Sequence, residues 1–194
     1  MAVDLSTLQP FRPYSFGRGG ATSFPPIYIK AATASTTYDE GDLVLEDAAA
    51  SGQCEIINDS VSTGDFAGSE LYGVVARKHT TGATLTEDDY ILVYPALPGA
   101  LFVGSFTDVT GAVDHAYTHA NAATDANEYG VRPAASGSFP VIDQGDITDI
   151  IVAVHAIVKD QIRGQEFREA DGVTDLNVRV LFTFKDSAFI SALV

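Results

Sequence analysis

Hydrophobic and polar residues alternate in short runs along most of the chain, and strong turn formers separate the runs. The clearest run is 176–185. Leu176, Val178, Val180, Phe182 and Phe184 fall on one face, while Asn177, Arg179, Thr183 and Lys185 fall on the other, where Leu181 is the apolar exception. This is the pattern of a strand with one buried face. Ile27-Tyr28-Ile29-Lys30 alternates more weakly. Gly41–Glu46 follows the turn-forming Asp39-Glu40-Gly41 and places Leu43 and Leu45 on one face. Cys54–Ile57, Tyr90–Tyr94 and Ala100–Val103 are further short apolar runs, and Leu97-Pro98-Gly99 between the last two reads as a tight turn. Leu71–Arg77 and Ile147–Val158 are apolar on both faces, as buried or central strands are. Within them, Gly73 signals a bulge or a close backbone approach, and His155 is expected to be a satisfied core or interface residue. Seven or more short strands joined by Gly, Pro and Asp turns predict an all-β fold, a small β-barrel or sandwich. No solenoid-type repeat is visible.

Two segments break the pattern. Residues 1–35 mix Pro, Gly and aromatics without a period, and Pro10, Pro13, Pro25 and Pro26 favour extended backbone. They are expected to form an extended N-terminal arm ahead of a β-barrel or sandwich domain spanning residues 36–194. Phe11, Tyr14, Phe16 and Phe24 require apolar contact, supplied either by a partner or by the chain's own domain. The candidate partner-binding residues are Phe11, Arg12, Tyr14, Phe16 and Arg18. The second segment, Asp108–Gly130, is read as a long irregular insertion. Val113, Ala116, Tyr117 and Ala120 have helical spacing, but the many Asp, Asn and Thr residues make a loop an equal competitor.

Charge narrows the partners. The 194-residue chain carries a formal net charge of −15, which repels phosphate backbones and anionic lipid, so neither nucleic acid nor membrane is expected as a partner. Cys54 is the lone cysteine, which leaves no internal disulfide and reads as a small buried hydrophobe. The first residues lack the basic start and apolar core of a secretion signal, and the Asn58-Asp59-Ser60 sequon is therefore treated as chance.

Catalytic patterns are sparse. No serine stands in a Gly-x-Ser-x-Gly elbow, and Gly17-Arg18-Gly19-Gly20 lacks the strand–helix setting of a phosphate loop. Glu87-Asp88-Asp89 reads as a solvated turn. His115 and His119 are metal-ligand candidates, since a four-residue spacing puts them on one face of a helix, with Asp114 or Asp125 nearby. A metal-dependent or ligand-binding β-barrel is therefore one alternative. A saccharide-binding module is another, and would need exposed Tyr72, Tyr94 or Tyr117 in a groove, although the chain has no Trp. No cofactor is expected, and the chain is read as a non-enzyme.

The order of the pieces is the most informative feature. Gly41-Asp42-Leu43-Val44 precedes Leu71-Tyr72-Gly73-Val74-Val75-Ala76. Then come Pro98-Gly99-Ala100-Leu101-Phe102, Ser136–Asp143 and a final Val178-Arg179-Val180-Leu181-Phe182. From about Tyr38 to Val194 this resembles the β-barrel decoration (cement) proteins of tailed-bacteriophage capsids, in which a G-D-x-V strand, a G-V-A-like strand and a P-G-x-x-F turn recur in this order. The resemblance implies a structural protein that binds the outer surface of an assembled capsid at junctions between major capsid subunits. It implies a homo-oligomer, with a trimer favoured, located on the virion surface and in host cytoplasm during assembly. The unmatched arm and insertion leave a head-fibre base or another virion accessory protein as the alternative.

Overall fold

The computed structural model describes residues 10–14, 25–57, 71–107, 128–133, 140–143, 150–158 and 177–185. Among these residues every regular element is a strand. They are β1 (Arg12–Pro13), β2 (Ile27–Ala31), β3 (Thr37–Tyr38), β4 (Leu43–Glu46), β5 (Gln53–Ile56), β6 (Leu71–Val75), β7 (His79–Thr80), β8 (Tyr90–Pro95), β9 (Phe102–Thr107), β10 (Glu128–Pro133), β11 (Pro140–Asp143), β12 (Val152–Ile157) and β13 (Asn177–Phe184). The expected all-β barrel class holds.

The strands close into two rings. In the first, β2-β5-β4-β6-β8 form a closed barrel in which β2–β5 is parallel and the other pairs are antiparallel. In the second, β9, β11, β10, β12 and β13 pair in that order and β13 returns to β9; here β9–β11 is parallel and the rest are antiparallel. Numbering the ring strands in chain order, both barrels run 1-3-2-4-5 with the same parallel pair. The chain is thus a tandem of two barrels of one topology. Their registers also correspond: Ile27–Val93 and Ile29–Ile91 in the first barrel match Phe102–Phe182 and Gly104–Val180 in the second. The residues at these inward positions are buried or partly buried in both barrels.

The link between the barrels is very short. Ala100 N–H donates to Leu97 O at 3.0 Å, and Gly99 has φ +75°. This is the tight turn expected at Leu97-Pro98-Gly99, with Pro favoured at its second position and positive φ required at its third. The barrels are held together by more than this turn. One core cluster fills the second barrel with Phe102, Phe106, Val131, Ile142, Val154 and Phe182 and continues through Leu43, Leu71 and Val74 of the first. A second cluster, with Ile29, Tyr38, Val44, Cys54, Ile91 and Val93, fills the first barrel. Strand β4 is therefore buried on both sides, Val44 facing its own barrel and Leu43 facing the neighbouring one. Alternation sets Leu43 and Val44 on opposite faces, and the neighbouring barrel supplies the layer that covers the face turned away from β4's own barrel.

Residues 1–35 are not a separate arm throughout. Ile27–Ala31 is a barrel strand, so residues 27–35 belong with the first barrel. Strand β1 adds to β9 antiparallel, with Arg12 opposite Val103 and Pro13 opposite Phe102, and Tyr14 N–H donates to Leu101 O at 2.9 Å. Phe11 is 1% exposed and packs on Phe182, with ring centroids 4.8 Å apart. Its partner is this chain's own core, which corrects its assignment to a partner-binding surface. A short extended segment can satisfy its backbone donors on the stretch of β9 that β11 leaves unpaired, and its aromatic ring then falls on apolar neighbours.

His155 is exposed, and its Nε2 lies 2.9 Å from Thr183 Oγ1. Strand alternation places the histidine on the face opposite buried Val152 and Val154, and the register of β12 on β13 shifts between Val154 and Ala156; the run expected to be buried on both faces is buried on one here.

Candidate functional site

The exposed large hydrophobic side chains among the described residues are two tyrosines, Tyr28 at 71% and Tyr90 at 45% exposure. Both line one groove of about 540 Å³, together with Arg77, Lys78, His79, Asp88 and Leu92. Adjacent barrel strands bring them together. Tyr28 pairs with Leu92 and Lys30 with Tyr90 across β2 and β8, so these four share the outward face while Ile29, Ile91 and Val93 point into the core. The alternation of Ile27–Lys30 and Tyr90–Val93 carries this signal, but only the pairing of two distant segments makes a site of it.

The rest of the wall is held by a compact polar network. Strand β7 pairs with β3, Thr37 with Thr80 and Tyr38 with His79. Thr81 is 3% exposed; its hydroxyl donates to Thr33 O at 2.9 Å and accepts from Thr36 N–H at 3.0 Å. His79 Nε2 stands 3.4 Å from Asp89 Oδ1. Asp89 Oδ2 accepts from Thr86 N–H at 2.6 Å and from Thr86 Oγ1 at 2.9 Å. These bonds, the backbone N–H first, hold the Asp89 carboxyl below its ordinary range, so it is ionised beside His79. Lys78 Nζ pairs with Asp39 Oδ1 at 2.6 Å, with both side chains well exposed. Such a pair adds little stability. The Arg77 side chain is exposed and has no ion pair among the described residues.

Further titratable groups are perturbed by burial. Cys54 is fully buried and its thiol is pushed up to about 12, which suppresses the thiolate needed for nucleophilic chemistry. Tyr38 is also raised to about 12 by burial, and its hydroxyl donates to Cys54 O at 3.2 Å. Asp42 is raised to about 6, chiefly by burial, although its Oδ2 accepts from Asp39 N–H at 2.7 Å. The folded protein therefore binds this proton more tightly than the unfolded chain, whose value lies near 3.8. The contribution is present in full below about pH 4 and is lost as pH rises through about 6. Asp42→Asn keeps an acceptor for Asp39 N–H and removes the buried charge. After allowance for partial exposure, the variant is expected to be more stable than the parent at pH 7 by about 1 kcal/mol. The gap should close toward pH 4. Thermal unfolding of both proteins between pH 4 and 8 checks this, and a pH-independent gap would refute it.

The other candidates from sequence fall as follows. Arg12 is exposed and lies close enough to Arg179 to depress it, after the larger effect of burial. Tyr14 is half-buried on the edge of β9. Phe16, Arg18, His115, His119 and Tyr117 lie outside the described residues, as does nearly all of the Asp108–Gly130 insertion. Tyr72 and Tyr94 are half-buried and pack against the two core clusters, so neither offers an exposed stacking face. Among the described residues no three His, Cys, Asp or Glu side chains converge as a metal site, and no helix is long and apolar enough to cross a membrane. The chain matches no protein-family model, no curated protein and no solved structure.

Proposed function

We propose that this chain is a capsid decoration protein, a non-enzymatic structural module that binds the outside of an assembled viral shell at junctions between major capsid subunits and stabilises it. The observation that supports this reading is the tandem of two barrels of one topology joined through a shared core. A chain with two units of one topology, packed through a shared core, can contact two neighbouring subunits at once. The second contact is then intramolecular, at an effective concentration of order millimolar. Only the assembled lattice offers both sites at the right spacing, so binding is linked to assembly and stabilises it by mass action. The net charge of −15 keeps a protein of high copy number soluble before it docks. A homotrimer at a threefold junction would multiply the same effect, and Arg12, exposed on the edge strand β1, remains placed to contact a neighbour.

The test is co-sedimentation. Purified protein is expected to pellet with expanded capsids and to stay in solution with unassembled major capsid protein. Failure to pellet with capsids at any salt concentration sinks the proposal, and equal affinity for free subunits removes its bivalent basis.

A further inference from the structure

We propose that the groove between Tyr28 and Tyr90 is a saccharide-binding site that takes a sugar bearing a single carboxylate, such as a uronic acid residue. The groove's volume of about 540 Å³ suits a mono- or disaccharide. Its composition is apolar in patches and polar elsewhere. Two tyrosine rings and Leu92 offer flat apolar contact, while Arg77, Lys78, His79 and Asp88 offer both donors and an acceptor. A pyranose has that same division, with C–H faces that pack on aromatic rings and hydroxyls that need partners of both kinds. An apolar drug-like ligand would leave the charged wall unsatisfied. An added peptide strand has no ladder to join here, because β8 is paired on one side with β2 and on the other with β6. The charge of −15 repels a polyanion strongly and a single carboxylate far less, and Arg77 is the wall cation that no carboxylate of the described residues engages.

The second barrel supplies an internal comparison. Register places Val103, Ser105, Arg179 and Leu181 where the first barrel has Tyr28, Lys30, Tyr90 and Leu92. Val103 and Ser105 are each 6% exposed; Arg179 and Leu181 are half-buried. One topology therefore presents a covered face in one copy and an open aromatic groove in the other. The open copy cannot be ascribed to the barrel architecture itself. The wall is also fixed in advance, since the Thr81 network and the Asp89–His79 contact hold the segment after β6 in place, which lowers the ordering cost of binding.

The chain lacks Trp, and two of its eight tyrosines line the groove, so part of the tyrosine fluorescence comes from the groove. Titration of the full chain with a uronic acid disaccharide is expected to change that fluorescence saturably, and a neutral disaccharide of the same linkage should bind at least about tenfold more weakly. Tyr28→Ala, at a position 71% exposed and so not needed for folding, should weaken the acidic sugar by about tenfold or more. Arg77→Gln should bring the acidic sugar down to the level of the neutral one and leave the neutral one unchanged. No saturable response to either sugar overturns the site, as does unchanged affinity in Tyr28→Ala. Equal affinity for the two sugars in the parent overturns the carboxylate assignment. If sugars fail and Tyr28→Ala instead abolishes self-association in sedimentation, the groove belongs to a second copy of the chain and the proposal falls. No capsid enters the assay, so its outcome is independent of the decoration reading.

Discussion

Phe11→Ala is expected to cost about 3 to 5 kcal/mol of folding stability, the range for truncating a buried aromatic ring. Phe11 is 1% exposed. It sits in a cluster of rings, 4.8 Å from Phe182 and 6.5 Å from Phe184 by centroid. Room for it is made by Gly104, where a Cβ would fall on the Phe11 ring. The backbone on either side is also engaged, through Pro10 against Gly41 and through the pairing of β1 with β9. Deleting residues 1–25 is therefore expected to destabilise both barrels rather than release a dispensable arm. A double-mutant cycle separates ring packing from simple loss of apolar area. Gly104→Ala should be strongly destabilising in the parent, because the added methyl and the ring compete for one space. In the Phe11→Ala background its cost should fall sharply, leaving the 3.1 Å approach to the Phe182 ring as the remaining obstacle. Urea unfolding of the four proteins gives the coupling. Additive effects, or a truncation to residue 26 with unchanged stability, would show that the ring is not seated where the structure places it.

How far these features can be read from sequence depends on whether the signal is local. The strand of Val180, Phe182 and Phe184 was legible, because alternation is a property of one segment. So was the Leu97-Pro98-Gly99 turn, where Pro and Gly each meet a backbone requirement of one position. Leu43 and Val44 were legible as strand residues, but the burial of both faces was not, since periodicity cannot report a second layer supplied from far along the chain. The arm shows the same boundary. The need of Phe11 for apolar contact is legible, but nothing in Pro10-Phe11-Arg12-Pro13 says whose surface provides it. The duplication left no sequence trace because the two barrels share positions rather than residues: Ile29 corresponds to Gly104, and Ile27 to Phe102. Topology emerges only from register. The groove escaped for the same reason, being made by pairing Tyr28 with a strand more than half the first barrel away.

Gly73→Ala is expected to be the most damaging single methyl in the first barrel. Gly73 has φ +149°, a conformation that side chains rarely adopt. A Cβ there would land on the Tyr94 carbonyl oxygen and lie 3.0 Å from Ala96 N. Both obstacles are backbone, so no rotamer change relieves them. The neighbouring backbone is committed as well, with Ala96 N–H donating to Tyr72 O at 2.8 Å and Gly73 opposite Val44 and Pro95. The β4–β6 register shifts between Val44 and Leu45, directly beside this residue. The glycine thus lets β6 bend while keeping Leu71 and Val74 on the neighbouring barrel and Val75 on its own. Moving β8 away to admit the methyl would open the first ring at the junction where the shared core crosses, so strain and lost packing add. A cost of about 3 kcal/mol or more follows from positive-φ strain combined with backbone overlap. Gly52→Ala is the control. Its φ is +80°, but a Cβ there meets nothing within 4 Å, so only the conformational term remains, about 1 kcal/mol. Comparing unfolding midpoints of the two variants isolates the steric part, and equal losses would mean that β6 and β8 do not approach as closely as the barrel requires.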